Sequence, residues 1–373
     1  MDELSKQFEA FALVAEKSHE YTYKLICQGV ARNPELLTLV RRSPQGQRRP
    51  NILLAAVHFL LLRGVDHPLA SWYRTVIQWR RDQLQTVPSI VELDNTCRTD
   101  PYPIFVDFCH SFQDDIEHLV STRSTQTNEV GRCSALLLAL NHVASQVHRP
   151  LGLIDLGTSA GLHLLFDQFS YSYDGSELID IPGSSVHLDC SLRKGVLPKI
   201  SLPCVPYRTG IDSNPVHLEN DDNLIWLLAC MWPDNLARFK RLQNAVSIFK
   251  SQTKAPHIVK GDAVSEIEFL AAGVPSDVHL TFFHCWMAAY LSIEQQRQLS
   301  ENIVSISHYR PVSWIYAELE SETTGLPVIA NHVDRVSRSS TVLNLITASE
   351  GRTNVELLAE MHPHGNWIAW HAC

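Results

Sequence analysis

Leu151 to Phe166 reads LGLIDLGTSAGLHLLF, and its pattern decides the fold. An apolar run (Leu151, Leu153, Ile154, Leu156) is broken by Gly157, small residues follow through Gly161, and apolar positions return at Leu162, Leu165, Phe166 and Phe169. This is the signature of a strand, a tight turn and a helix. Glycines let the backbone take open dihedrals and approach a ligand closely, and the first-turn N–H groups of the following helix are expected to point at a carboxylate, a phosphate or a nucleotide sugar.

Outward from this stretch, strands and helices alternate, the pattern of a doubly wound α/β sheet. Strands are expected at Gly152 to Leu156, Tyr207 to Ile211, His257 to Lys260, Val278 to His284 and Val312 to Glu318. Helices are expected at Leu162 to Phe169, Asp221 to Trp232 running on to Phe249, Val264 to Ala272, and Ile293 to Ser307 with a Ser292/Gln295 capping box. The tail (Thr341 to Thr347, Asn354 to Met361, Trp367 to His371) reads as strands with short links, an antiparallel hairpin edge. Residues 167–205 fit the alternation poorly, and their short strands, Ser170 to Tyr173 and Val186 to Leu188, suggest an inserted hairpin at about 170–205. Before Leu151 only helical spacing is found: Leu4 to Ala15, Glu35 to Arg41, Ile52 to Arg63, Leu69 to Gln83 and Tyr102 to Val120. A polar joint at Arg123 to Arg132, with Asn128 as a helix cap, leads into a helix whose inward face is Val130, Leu137, Ala144 and Val147, and His148, Arg149 and Pro150 end it before the first strand. The expected division is therefore a helical unit, 1–125, that covers the acceptor pocket, and an α/β domain, 126–373.

The chain has 373 residues, 45% hydrophobic and 19% charged, as ordinary globular proteins do. Its longest apolar run, Ile52 to Leu62, is interrupted by His58 and is far shorter than the roughly 20 residues that cross a bilayer. The first residues, MDELSKQFEAF, carry early acids and helical periodicity, so no secretion signal is expected. Nine scattered cysteines without CxxC spacing point to reduced thiols in the cytoplasm and to no metal site. A net charge of −9 argues against a non-specific nucleic-acid binder and weakly favours a small-molecule partner.

Three chemistries fit the glycine turn. Gly157 to Gly161 matches G-x-S-x-G, which would make Ser159 a hydrolase nucleophile, with Asp262 or Glu318 as the acid and His362, His364 or His371 as the base. Against it, the elbow falls on the first strand, with no earlier oxyanion loop. A nicotinamide or flavin site needs G-x-G-x-x-G, of which two glycines are missing. A nucleoside site of the S-adenosylmethionine type fits more of the chain. Asp155 precedes the turn; YRTGIDSNP puts Asp212 at the second strand end, where a carboxylate suits a ribose diol. HIVKGDAV puts Asp262 and Ala263 beside an adenine, and VHLTFFHCW delivers His284, Cys285 and Trp286 to the reacting group.

The order of these pieces resembles a class I S-adenosyl-L-methionine-dependent methyltransferase. The whole chain also resembles an uncharacterised, mainly bacterial domain-of-unknown-function family placed near that fold, through TQTNEVGR (Thr125 to Arg132), DLGTSAGLHLL, GIDSNP, Trp232-Pro233, KGDA and FHCWMAAYL. The resemblance implies a Rossmann-like methyltransferase sheet with S-adenosyl-L-methionine as cofactor, held by Asp155, Gly157, Thr158, Ser159, Gly161, Asp212, Ser213, Asp262 and Ala263. It implies a substrate side made by Asn128, Arg132, Trp286 and Tyr290, with His284 as the catalytic base if the acceptor is a hydroxyl or an amine. Two features depart from the pattern: Ser159 replaces the middle glycine, and the gap from Gly157 to Asp212 is long, which leaves Asp174 as an alternative ribose acid. Each residue also has a plainer reading. Gly157 and Gly161 could form only a tight turn, Asp155 a local pair, Asp212 a turn start, Asp262 a cap, His284 a hydrogen-bonded core residue, and Glu129 with Arg132 a surface pair. A catalytically silent scaffold that binds a nucleoside or a partner is the remaining alternative.

Overall fold

The computed structural model describes residues 2–84, 100–328 and 340–372. Its helices are α1 (Glu3–Lys17), α2 (Tyr21–Val30), α3 (Pro34–Arg41), α4 (Pro50–Leu62), α5 (Arg74–Leu84), α6 (Tyr102–Ser111), α7 (Gln113–Thr122), α8 (Cys133–Val147), α9 (Asp221–Ala229), α10 (Leu236–Ser251), α11 (Ile267–Ala272) and α12 (Ile293–Ser307). Its strands are β1 (Leu151–Leu156), β2 (Ser170–Tyr173), β3 (Ser176–Ile179), β4 (His187–Lys194), β5 (Tyr207–Asp212), β6 (His257–Lys260), β7 (His279–Cys285), β8 (Val312–Leu319), β9 (Thr341–Ser349), β10 (Arg352–Met361) and β11 (Trp367–Trp370). No helix among the described residues is long and apolar enough to cross a membrane.

Residue contacts divide the chain into two units, Met1–Thr127 with His217–Gln243, and Asn128–Val216 with Asn244–Cys373. In the first, α4 is buried at every position except Asn51, as expected of a helix that is apolar all round and therefore central. Helix α9 packs on α4, with Phe59 against Trp226 at 5.7 Å. Buried His58 ties the two: its Nδ1–H donates to Ala229 O at 3.0 Å, and Thr75 Oγ1 donates to its Nε2 at 2.9 Å. Two carbonyls and one hydroxyl are the partners of a neutral imidazole, and burial pushes His58 down to about 4. The segment 217–243, which the alternation alone assigns to the α/β part, thus packs with the N-terminal helices. The expected helix Tyr102 to Val120 is two helices hinged at Phe112, and Leu69 to Gln83 opens with a 3-10 turn, Pro68–Trp72.

The second unit holds one 11-stranded sheet in the order β3-β2-β4-β11-β10-β9-β8-β7-β1-β5-β6. β6, β5, β1, β7 and β8 are mutually parallel, and β8, β9, β10 and β11 alternate in direction. One face of the parallel strands (Ile154, Leu156, Ile211, Leu280, Phe282, Trp314, Tyr316) is buried under α11 and α12, the latter started by the Ser292/Gln295 capping box. The inserted residues form a β2–β3 hairpin with β4 parallel to β2, and β4 joins β11 on the far side of the sheet from β6.

The expected α-helix after the glycine turn is instead a 3-10 segment, Leu162–Gln168, with non-helical dihedrals at Leu165. Tertiary contacts override its helical spacing. Arg208 of β5 donates to both Asp167 carboxylate oxygens at 2.9 Å and to the carbonyls of Leu164 and Val205, which holds this segment and the preceding loop to β5. Arg208→Ala is expected to destabilise the protein by about 3 kcal/mol, since it leaves a largely buried carboxylate without its fork. A urea-denaturation loss under about 1 kcal/mol would mean that the ion pair does not hold the segment.

Candidate functional site

The turn at the end of β1 runs through left-handed backbone at Gly157 (φ 71°), Ser159 (φ 54°) and Gly161 (φ 77°). A Cβ at Gly157 would lie 2.8 Å from Met287 Cγ, and one at Gly161 2.7 Å from Ile258 Cδ1, so both glycines are needed for space as well as dihedral. Ser159 bears the left-handed strain with a side chain, at a cost of roughly 1–2 kcal/mol. Its amide repays that strain locally, donating to Asp212 Oδ2 at 2.8 Å.

Four more amides at the turn are used in the same way, so these four do not point at a ligand as expected. Gly157 and Thr158 N–H both donate to Ile211 O, at 2.8 and 3.1 Å, Gly161 N–H to Thr158 O, and Leu162 N–H to Asn128 Oδ1 at 2.9 Å. The turn is stitched to the end of β5, and with a 3-10 segment after it there is no α-helix dipole to offer. Asn128 therefore caps the turn segment, while Glu129 caps the short Val130–Arg132 helix by accepting from Gly131 N–H.

Two carboxyl groups flank this turn. Asp155 is 1% exposed and accepts from Thr158 Oγ1 at 2.7 Å. Gly210 on β5 makes that bond possible, because a Cβ there would stand 2.5 Å from Thr158 Oγ1. Burial pushes Asp155 up to about 8, the Thr158 bond opposes this, and the charge of Asp212 adds to it. Asp155 is therefore protonated at neutral pH. Asp212 accepts Ser159 N–H and Asn214 N–H on its two oxygens, and its carbonyl takes Gly261 N–H from the end of β6. Asp262 is exposed and holds a local turn with Val264 N–H at 2.9 Å, beside buried Ala263. Ser213 is exposed next to Asp212. Asp174 sits in the β2–β3 turn, bonded to Leu192 N–H, on the far side of the sheet from β5.

The end of β7 meets the segment before β1. Asn128, Glu129 and Arg132 are all buried, so Glu129 and Arg132 are not the surface residues that a surface pair needs: Glu129 lies 3.4 Å from His364, and Arg132 donates through Nε to Pro363 O at 2.9 Å. The Arg132 guanidinium lies 5.2 Å from the Trp286 ring. Trp286 is itself left-handed (φ 60°), held by its amide to Ala317 O and by its indole N–H to Thr341 Oγ1. Tyr290, four residues on at the end of the 3-10 turn Ala288–Tyr290, is 57% exposed.

His284 and Glu318 do different work from what their strand ends suggest. Asp155 is in register with Phe283, and strand alternation puts His284 on the opposite face from Asp155 and Asp212, the face under α11 and α12. There His284 is fully buried, stacked on Tyr316 at 5.6 Å, with Nδ1–H donating to Glu318 Oε1 at 2.7 Å. The same Glu318 oxygen accepts Met287 N–H at 2.8 Å. The pair thus fixes the turn that carries Trp286 and lays Met287 against Gly157. Sequence reading missed Met287 and these roles of His364 and Glu318; for Glu318 the one signal was a single acid in the apolar strand VSWIYAEL.

Asp155 keeps its proton in the fold up to about pH 8, whereas an ordinary aspartate loses it near 3.8. Folding therefore binds a proton between those values, and stability falls as pH rises through that window. Asp155→Asn, which cannot ionise, should gain steadily on the wild type in urea midpoint from pH 5 to 8 and approach a constant offset below about pH 3. A pH-independent difference would mean that Asp155 is ionised in the fold. Residues 5–370 match the model of a family described as an uncharacterized protein conserved in bacteria (DUF2332). No curated protein matches the sequence. With the match spanning nearly every element from α1 to β11, the chain belongs to the DUF2332 family.

Proposed function

We propose that the carboxyl edge of β1, β5, β6 and β7 binds S-adenosyl-L-methionine and that the protein methylates a small molecule. The observation that carries this reading is the strand order β6-β5-β1-β7-β8, all parallel, whose direction of growth reverses between β1 and β7. Open α/β sheets bind ligands at such a switch point, outside the carboxyl ends of the strands. That order suits a Rossmann-like methyltransferase sheet, as it does other doubly wound sheets, and the glycine turn and Asp212 both lie at its carboxyl edge. The alternating strands β9 and β10 would be the methyltransferase's closing pair, here following β8 in simple succession.

The residues suit the cofactor. Ser159 Oγ is buried and makes no hydrogen bond, a polar atom left for a ligand group. A carboxylate has about four acceptor sites, so the two backbone bonds of Asp212 are compatible with a ribose diol. Asp262 and Ala263 follow the end of β6, where an adenine edge would be read. When bound, S-adenosylmethionine supplies an electrophilic methyl group. The protein's part is to hold donor and acceptor in contact and in line, which needs no protein nucleophile. Neutral Asp155 and Thr158 keep the turn rigid. Arg132 and Trp286 form the acceptor side, and His284 positions that side through Glu318. The hydrolase reading lacks a base, because Ser159 Oγ has no histidine partner among the described residues.

Calorimetric titration and thermal shift with S-adenosylhomocysteine test the proposal. Wild type should bind, with stabilisation of about 2.7 kcal/mol at a hundredfold excess over Kd. Asp212→Asn should weaken binding at least about tenfold, and Gly157→Ala should abolish it by pushing on Met287. Absence of binding by the folded wild type overturns the cofactor assignment. Binding without methyl transfer to any acceptor would mark a nucleoside-binding scaffold.

A further inference from the structure

One face of β7, β8 and β9 carries four polar atoms that make no hydrogen bond among the described residues: His284 Nε2, Trp314 Nε1, and Asn344 Oδ1 and Nδ2. The three residues are at most 1% exposed. They form one patch on the side of the sheet that α12 covers. His284 is in register with Tyr316, and Tyr316 with Asn344, while Trp314 lies two residues before Tyr316 and so faces the same way. The His284 and Trp314 rings are 5.8 Å apart, and each is 5.6 Å from the Tyr316 ring. The polar side chains around the patch are engaged elsewhere: Gln296 of α12 donates to Ala288 O and Glu322 O, Ser307 to Val304 O, and Tyr316 to Pro327 O.

A buried polar atom without a partner is costly, and four of them in one patch point to a bound molecule that pairs them. Its chemistry follows from the roles of the four atoms. His284 Nδ1 gives its hydrogen to Glu318 Oε1 at 2.7 Å, so Nε2 is left to accept. Trp314 Nε1 can only donate, and the Asn344 amide offers a donor and an acceptor. An anion has no hydrogen for His284 Nε2 or Asn344 Oδ1, and a metal or ammonium ion cannot accept from Trp314 Nε1. Water carries both roles in equal number, and two hydrogen bonds of about 2.8–3.0 Å span rings 5.8 Å apart. We propose that His284, Trp314 and Asn344 bind internal water beneath α12, and that this water holds His284 in the orientation and tautomer that engage Glu318.

The effect reaches the glycine turn. The Glu318 oxygen that takes His284 also takes Met287 N–H at 2.8 Å, and Met287 lies against Gly157. Trp314 and Asn344 are thus positioning residues for the turn at the end of β1, whatever ligand that turn holds.

The test joins a high-resolution crystal structure of the full chain to nuclear magnetic resonance of Trp314→Phe and Asn344→Leu. Wild type should show ordered water within about 3 Å of His284 Nε2 and of Trp314 Nε1. In imidazole nitrogen spectra His284 Nε2 should carry no hydrogen, and each variant should shift its resonance. Amide exchange at Met287 should quicken at least about tenfold in both variants while that at Ile154, in β1, stays unchanged; a loss of global stability alone would quicken both. A patch without water, a protonated Nε2, or an unchanged Met287 amide in the folded variants would each overturn the proposal. So would a higher urea midpoint for Asn344→Leu than for wild type, because an apolar side chain of that shape gains there only if the amide had no partner. If neither variant folds, the wild-type density and nitrogen spectrum decide it.

Discussion

The carboxylate of Asp212 is the joint on which the α/β unit turns. One oxygen takes the amide of Ser159, the other takes the amide of Asn214, and the backbone oxygen takes the amide of Gly261. A single residue thereby fixes the loops that follow three neighbouring strands, β1, β5 and β6. Bonds from amides to a charged acceptor are about twice as strong as neutral ones, which is what lets a non-glycine residue hold left-handed dihedrals at Ser159. The neighbouring Asp155 does the reverse, staying neutral in an apolar setting and closing the turn through Thr158. Two aspartates 57 positions apart thus meet at one turn in different settings, Asp212 held by backbone amides and Asp155 buried with the Thr158 hydroxyl.

Much of the framework was legible because strand and helix periods are strong signals. The parallel strands from Gly152 to Glu318 and the helix from Ile293 to Ser307 were found to within about two residues, and the capping box was readable from Ser292 and Gln295 alone. What failed has local physical causes. Leu162 to Phe169 has helical spacing, yet Arg208 clamps Asp167 and the Leu164 carbonyl and so tightens it to a 3-10 segment. Phe112, bonded through its amide to Phe108 O and through its carbonyl to Ile116 N–H and without a helix-breaking identity, gives no warning that one helix will be two.

The site was legible as a set of positions but not as a set of contacts. Strand ends could be read, so Asp155, Asp212, Asp262 and the end of β7 were found. Which way each side chain faces depends on register, and a shift of one residue reverses the face. That is why His284 reads as a partner of the aspartates from its strand end but is enclosed with Tyr316, Trp314 and Glu318 beneath α11 and α12. Likewise, nothing local in TNEVGR announces that Glu129 meets His364 or that Arg132 rests on Trp286.

The place of β11 in the sheet has a bearing on how the chain reaches this state. It lies between β10 and β4, pairing Trp367 with Ser191, so β2, β3 and β4 have no strand neighbour other than one another until it is in position. Pairings of such large sequence separation carry a heavy loop-closure entropy and form late. During synthesis, the inserted strands would wait through the making of β5 to β10 with one edge open, and an open strand edge is a template for pairing with other chains. Burial of that edge in the finished sheet makes the final strand as much a guard against aggregation as a source of stability.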